Sequence, residues 1–317
     1  MTKTSAFAML AALMCFAAAP AQAQSARTFV SAVNGNDGND CSRPAPCRTF
    51  QAAHDKTLDQ GDITVLDPGG YGAVTIRKSI SIVNDGVGEA SILVSGGATG
   101  ITVAAPNAYV NLRGLTVQGI GFGGGTGIVV TSAVALTITK CVIRNHTGHG
   151  IRWNPDATSM SRLAIVDTLI ADNGENGIFL QPQGTAARYV SLSRVALVQN
   201  SSHGLLADGG ESQGFMYVNV SDSVAEKNGG AGFKNTSNPT TATVDMLVVR
   251  SSSSNNFTGF FNGNNNNVTA VGDSTVIGNS TGASAGAGLF TFGDNFSRGN
   301  GDGGASAQVI GASAAKF

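Results

Sequence analysis

His149, Glu175, Asn176 and His203 are the densest set of groups in this chain that could move a proton or grip a ligand. His149, Asn176 and His203 lie at successive intervals of 27 residues, so a fold with that period would stack them. Glu175 adjoins Asn176, Arg152 and Trp153 follow His149, and Phe179 sits at the same offset from Asn176 as Arg152 from His149. An imidazole with a carboxylate can act as an acid–base pair. A guanidinium holds a carboxylate, and an aromatic ring packs against a sugar ring. His149, Glu175 and His203 are therefore candidate catalytic groups, and Arg152, Trp153, Asn176 and Phe179 candidate substrate-binding groups. The plainer alternative is that a repeat has filled its turn and surface positions with polar residues. Phe261 and Phe290 join Phe179, Arg152 and Lys234 in one column, and alternation with the interior position predicts that this column points outward.

The element that would position these groups is a repeat. A glycine followed by an aliphatic residue or Phe recurs at Gly100, Gly127, Gly150, Gly177, Gly204, Gly232, Gly259 and Gly288, spaced by 27, 23, 27, 27, 28, 27 and 29 residues. A second motif before each glycine from the third onward ends in Asn145, Asn173, Asn200, Asn228, Asn256 and Asn279. A coil of about 27 residues is too short for a propeller blade of roughly 40 and lacks leucine-rich spacing. The remaining solution is all-β: a single-stranded right-handed parallel β-helix whose coils stack about 4.8 Å apart. Residues after the glycines (Ile, Ile, Ile, Ile, Leu, Phe, Phe, Leu) should form an interior stack. The asparagines should hydrogen-bond up and down a turn, with the glycine supplying left-handed backbone. Asp167, Arg194, Asp222, Arg250 and Asp273 each precede their Asn by six residues, Lys140 standing one residue off that register. Their alternating signs read as a solvated ladder of little energetic worth.

Charged residues are 12 % of the chain, Gly is 43 of 317, and the formal net charge is −1. That balance gives no basic face for nucleic acid. Residues 1–23 read as a signal peptide: Lys3, an apolar run over 6–19, and Ala21-Gln22-Ala23 as the cleavage site. Export to the periplasm or beyond is therefore expected, and no later run is long enough for a membrane helix. Cys41 and Cys47 flank a five-residue loop. A disulfide is expected there, with two free thiols as the alternative. Cys141 lies in an apolar strand and reads as a core thiol. No metal is expected, although Asp37 and Asp40 in the Asn/Gly-rich loop 34–40 leave calcium open.

Residues 24–62 read as a cap, with the disulfide loop and a short helix over Arg48–Leu58 that turns Phe50, Ala53, Thr57 and Leu58 to one side. Coils are expected over 63–294 and a flexible end over 295–317.

The opening carries Val30, Ser31, Gly35, Asp37, Pro46, Arg48, Thr49, Gln51, Ala52, Gly61, Asp62, Gly70 and Tyr71 in an order that resembles the start of secreted proteins of the pectate-lyase-like superfamily. The resemblance, extended by the coils over nearly all of the chain after residue 23, implies a β-helix and a polysaccharide or cell-surface glycan as partner. It leaves activity open, since that opening serves lyases, epimerases, hydrolases and proteins without known activity. Gly148-His149-Gly150 is similar to one polygalacturonase motif. The column that carries acids in that family here reads Thr99, Thr126, His149, Asn176, His203, Ala231, Thr258 and Ala287. Without a carboxylate, inverting hydrolysis has no acid or base. The expected function is polysaccharide or surface binding without catalysis. The alternatives are a lyase or epimerase on a uronate polymer, and a structural or adhesive element.

Overall fold

The computed structural model describes residues 25–156, 161–237, 242–264, 266–285 and 288–303. The signal-peptide reading falls on residues outside this set. The described chain is an all-β parallel helix with one short α-helix near its start. Each full coil lays one strand on each of three faces. Face 1 is a nine-stranded parallel sheet that climbs from Val74–Ile76 through Ile151–Trp153, Ile178–Leu180 and Leu205–Asp208 to Thr281–Ala285. Faces 2 and 3 belong to one 19-stranded network, because in two coils they are halves of a single bent strand, Ser161–Ala171 and Arg188–Val198. The bends fall at Asp167 and Arg194, both in the left-handed region.

The interior column is as expected over seven coils. Ile101, Ile128, Ile151, Ile178, Leu205, Phe233 and Phe260 are fully buried and in register, and the last two rings stack at 5.4 Å. The eighth coil differs. Phe260 pairs with Ala283, so Gly282 takes the repeat position, while Gly288 and Leu289 lie on face 2. Phe290 moves with them and leaves the column of Phe179 and Phe261.

The asparagine ladder forms, one seat displaced at its start. Asn173, Asn200, Asn228, Asn256 and Asn279 are buried, and each amide Nδ2 donates to the Oδ1 of the next asparagine at 2.9–3.1 Å, ending at Asn300. Backbone N–H groups of the same residues donate to the same oxygens. Asn145 is not a member: it adopts a left-handed φ of 63°, and the seat belongs to His146. The His146 backbone N–H donates to Asn173 Oδ1, and its Nε2 donates to Val117 O, as Asn200 Nδ2 does to Ile170 O. With that seat reassigned, Lys140 stands six residues before it, in register with the charge ladder.

Repeat glycines do not supply the left-handed corner. Asn145, Asp172, Gln199, Lys227, Asn255, Gly278 and Gly299, one before each seat, do that. The repeat glycines are needed for space. A methyl on Gly177 would lie 2.7 Å from Gly204 O and 2.8 Å from Asn200 Nδ2, and on Gly204, 2.6 Å from Gly232 O and 3.0 Å from Asn228 Nδ2. A second ladder follows the other corner: Val195, Ser223, Ser251 and Ser274 N–H groups donate to Ser223 Oγ, Ser251 Oγ, Ser274 Oγ and Asn295 Oδ1.

The cap is tighter than expected. The helix spans Phe50–Lys56, and Thr57 already begins a strand, so Leu58 is exposed and not on a helix face. Gln51 Oε1 and His54 Nε2 accept from Thr75 and Arg77 N–H, so helix side chains cover open donors of the first face 1 strand. The Cys41–Cys47 disulfide is present. Coils start before residue 63 and pass 294, since Ser25–Val30 pairs with Thr57–Val65 and Phe296–Arg298 with Thr275–Ile277.

Asn228→Ala removes a group that satisfies four polar partners in a buried seat and is expected to cost about 2 kcal/mol or more. Asp222→Asn, which tolerates the left-handed φ of 52° while removing the charge that meets Arg250 at 2.8 Å in solvent, should leave the urea midpoint nearly unchanged. Urea denaturation of the two variants side by side checks the contrast.

Candidate functional site

The face 1 corner brings His149, Asn176 and His203 together on consecutive coils. Each sits just before a repeat glycine, so the strand that follows fixes its height. His149 Nδ1 accepts from Asn176 N–H and lies 3.3 Å from Asn176 Nδ2. Asn176 Oδ1 accepts from His203 N–H, and His203 Nδ1 accepts from Ala231 N–H at 2.7 Å. These side chains form a third, shorter ladder. Glu175 reaches His149 Nε2 at 2.8 Å while its own side chain is mostly exposed.

The ladder dictates the protonation of the rings. A neutral imidazole has one N–H and one lone pair. On His149 the lone pair at Nδ1 is taken by Asn176, so Nε2 carries the proton and donates to Glu175. On His203, Ala231 N–H claims Nδ1, and Lys234 Nζ stands 3.3 Å from Nε2. Burial lowers the pKa of both rings. Glu175 opposes that fall at His149, whereas Lys234 adds to it at His203, which drops to about 4. His54 and His146 are lowered by burial too, so all four histidines of the chain fall below their ordinary value. At neutral pH neither His149 nor His203 has a free lone pair with which to take a proton from a substrate.

Beside this ladder runs the outward column of face 1: Val129, Arg152, Phe179, Leu206, Lys234, Phe261 and Ser284, one per coil. Arg152 lies over the Phe179 ring with 5.9 Å to its centroid, and Lys234 over Phe261 with 5.1 Å. His149 packs on Phe179 at 4.8 Å. Phe179 and Phe261 are half-buried and point outward, as alternation predicted. Trp153 is different: it is wholly buried, the largest such side chain, and belongs to the core. The sequence reading placed it at the site because it adjoins Arg152, yet adjacent strand residues point to opposite sides.

The loop that left calcium open is already furnished. Asp37 Oδ1 accepts from Arg48 and Thr49 N–H, its Oδ2 from Thr49 Oγ1, and the Lys56 ammonium donates to the carbonyls of Asp37 and Asn39. Asp40 accepts from Ser42 N–H. These residues do not fit a calcium ligand set, because amides and an ammonium hold the oxygens a cation would need. Among the described residues no three His, Cys, Asp or Glu side chains gather as metal ligands.

The right-handed β-helix region family matches residues 61–219, just over half of the sequence. The chain belongs to that family. Among solved structures this β-helix is similar to the pectate lyase Pel9A, with a TM-score of 0.66 and 19 % identity over 88 % of this chain and 77 % of that one, which supports the fold. A rhamnogalacturonan lyase aligns at a TM-score of 0.31 and 11 % identity over 84 % and 70 % of the two chains. No curated protein matches the β-helix by sequence. No helix among the described residues is long and apolar enough to cross a membrane.

Sequence reasoning missed one feature. On face 2, Arg162, Tyr189, Tyr217 and Asp245 occupy one outward column on four consecutive coils, and Tyr189 and Tyr217 stack at 5.4 Å. They line a groove of about 630 Å³. The signal was a Tyr at the same strand position in ARYVSLS and GFMYVNV, two coils in a row.

Because His203 is charged less readily in the folded than in the unfolded chain, the unfolded state binds more protons between about pH 4 and 6.5. Stability should be full above that window and fall as pH drops through it. His203→Gln should flatten the fall, read as melting temperature against pH. Trp153 emission should stay blue and unquenched by iodide until the chain unfolds.

Proposed function

We propose that this chain is an exported β-helix protein that binds an acidic polysaccharide along face 1 without turning it over. The observation that carries the reading is the Arg152–Phe179 and Lys234–Phe261 column. Two cations lie over two rings three coils apart, about 14 Å at the β spacing. A cation beside a ring suits a sugar that bears a carboxylate: the ring packs on the pyranose face and the cation meets the acid. Export rests on the leader-like residues 1–23.

The ladder supports a reading without turnover. Lyase or epimerase chemistry must take a proton from the carbon next to a carboxylate, which requires a base with a free lone pair. His149 and His203 spend theirs on backbone N–H groups of the next coil. The second reading, a uronate lyase or epimerase, is favoured by the 2.8 Å contact between His149 and Glu175. On that reading Glu175 would hold the ring for a substrate that displaces the Asn176 contact.

Affinity electrophoresis of the protein in gels holding polygalacturonate or alginate tests the binding. Retardation should fall at least tenfold in Arg152→Ala/Lys234→Ala and survive in His149→Gln/His203→Gln. Mass spectrometry of long incubations should show no new oligosaccharide and no epimerised uronate. Product formation that disappears in the histidine double variant would establish the lyase or epimerase reading instead.

A further inference from the structure

The face 2 groove has no part in the site just described. It lies on a different sheet and shares no lining residue with the Arg152–Phe261 column. Its floor combines two kinds of chemistry. One column carries Arg162, Tyr189, Tyr217, Asp245 and Val268 on successive coils. Its outward neighbour carries Ala164, Ser191, Asn219, Leu247 and Ala270. With Ala135 one coil below Arg162, the lining spans six coils, or roughly 24 Å along the axis at the β spacing. It is an elongated trough with a row of rings beside a row of small and polar groups.

The rings are held. Tyr217 stacks on Tyr189 with planes 16° apart, Phe215 stacks on Tyr217 at 6.2 Å, and Arg162 covers the other side of Tyr189 at 5.9 Å. All three aromatic side chains nevertheless stay more than a third exposed. A parallel stack fixed by the coil spacing presents hydroxyls and ring edges at regular intervals, with Ser191 and Asn219 alongside to donate and accept hydrogen bonds. A hydroxyl-rich polymer could use that pattern repeatedly.

Charge selects among such polymers. The lining holds one cation, Arg162, and one carboxylate, Asp245, with the tyrosine pair between them. The rim toward face 3 is the ladder in which Asp167 pairs with Arg194 at 2.6 Å and Asp222 with Arg250 at 2.8 Å, so its charges cancel locally. Burial raises the pKa of Asp245, and no ion pair is formed with it among the described residues. A uronate chain would bring one negative charge per sugar past a single Arg and against that carboxylate. Nucleic acid would do the same with phosphates and needs a basic groove to bind.

We infer that the face 2 groove is a second glycan site, independent of face 1, that takes an uncharged polysaccharide segment along the coil axis over Tyr189 and Tyr217, with Ser191, Asn219 and Asp245 hydrogen-bonding its hydroxyls. Having two such sites on different faces, one chain would bridge an acidic and a neutral polymer, and the second contact would act at raised effective concentration.

The test uses the full chain as secreted and three gel matrices: a β-glucan, a galactomannan and polygalacturonate. At least one neutral polymer should retard the protein, and Tyr189→Ala/Tyr217→Ala should weaken that retardation at least tenfold while leaving polygalacturonate behaviour unchanged. Tyr189→Phe/Tyr217→Phe, which keeps the stack, should lose less, and a wild-type circular dichroism spectrum excludes misfolding as the cause. Arg152→Ala/Lys234→Ala should leave neutral-polymer binding intact. The inference is overturned if neither neutral polymer retards the protein, if the tyrosine variants bind them like wild type, or if polygalacturonate binding is what the tyrosine variants lose. That last result would leave the acidic-polymer reading standing but move it to face 2.

Discussion

Everything in this molecule depends on a hydrogen bond that one coil cannot make alone. A buried asparagine at the corner between face 3 and face 1 donates to, and accepts from, its equivalents above and below. Burying an amide without partners costs on the order of several kcal/mol, so each seat is tolerable only when its neighbours are filled. The seat also dictates the backbone around it. The residue before it must go left-handed, and the glycine three or four residues after it must lack a side chain, because the next coil's carbonyl and amide occupy that space. Periodicity in the sequence is the trace of that one repeated constraint.

The same logic explains the histidines. His146 fills an asparagine seat because its Nε2–H can do what an amide N–H does. His149 and His203 fill a parallel ladder with Asn176, each accepting a backbone N–H through Nδ1. A ring recruited for stacking has committed the lone pair that catalysis would require. Histidines can thus stand in register on successive coils for a structural reason, and the proposed binding rests on the outward residues Arg152, Phe179, Lys234 and Phe261.

Much of this was legible beforehand because period and alternation are one-dimensional. The glycine spacing gave the coil, the residue after each glycine gave the core, and outward alternation placed Phe179 and Phe261. Errors arose where a seat was filled by another residue type or a coil changed length. His146 replaced Asn, which shifted Asn145 and Lys140 by one. The short step from Gly259 to Gly282 hid the eighth repeat and carried Gly288 and Phe290 to another face. Trp153 was misplaced by adjacency, which a strand turns into opposition. The tyrosine groove escaped because its members lie on the strand before the repeated motif, where residue types change from coil to coil, and only the stack brings them side by side.

The central claim is that stacking has taken the lone pairs of the face 1 histidines. Side-chain ¹⁵N spectra of the histidine-labelled protein, followed from pH 7 down to about 4, test it most directly. All four rings should be neutral at pH 7, with His149 and His203 unprotonated at Nδ1 and titrating below the ordinary histidine value of 6.5. A His149 or His203 ring that carries its proton on Nδ1, or titrates at or above that value, would contradict the account and return both residues to the candidates for catalysis.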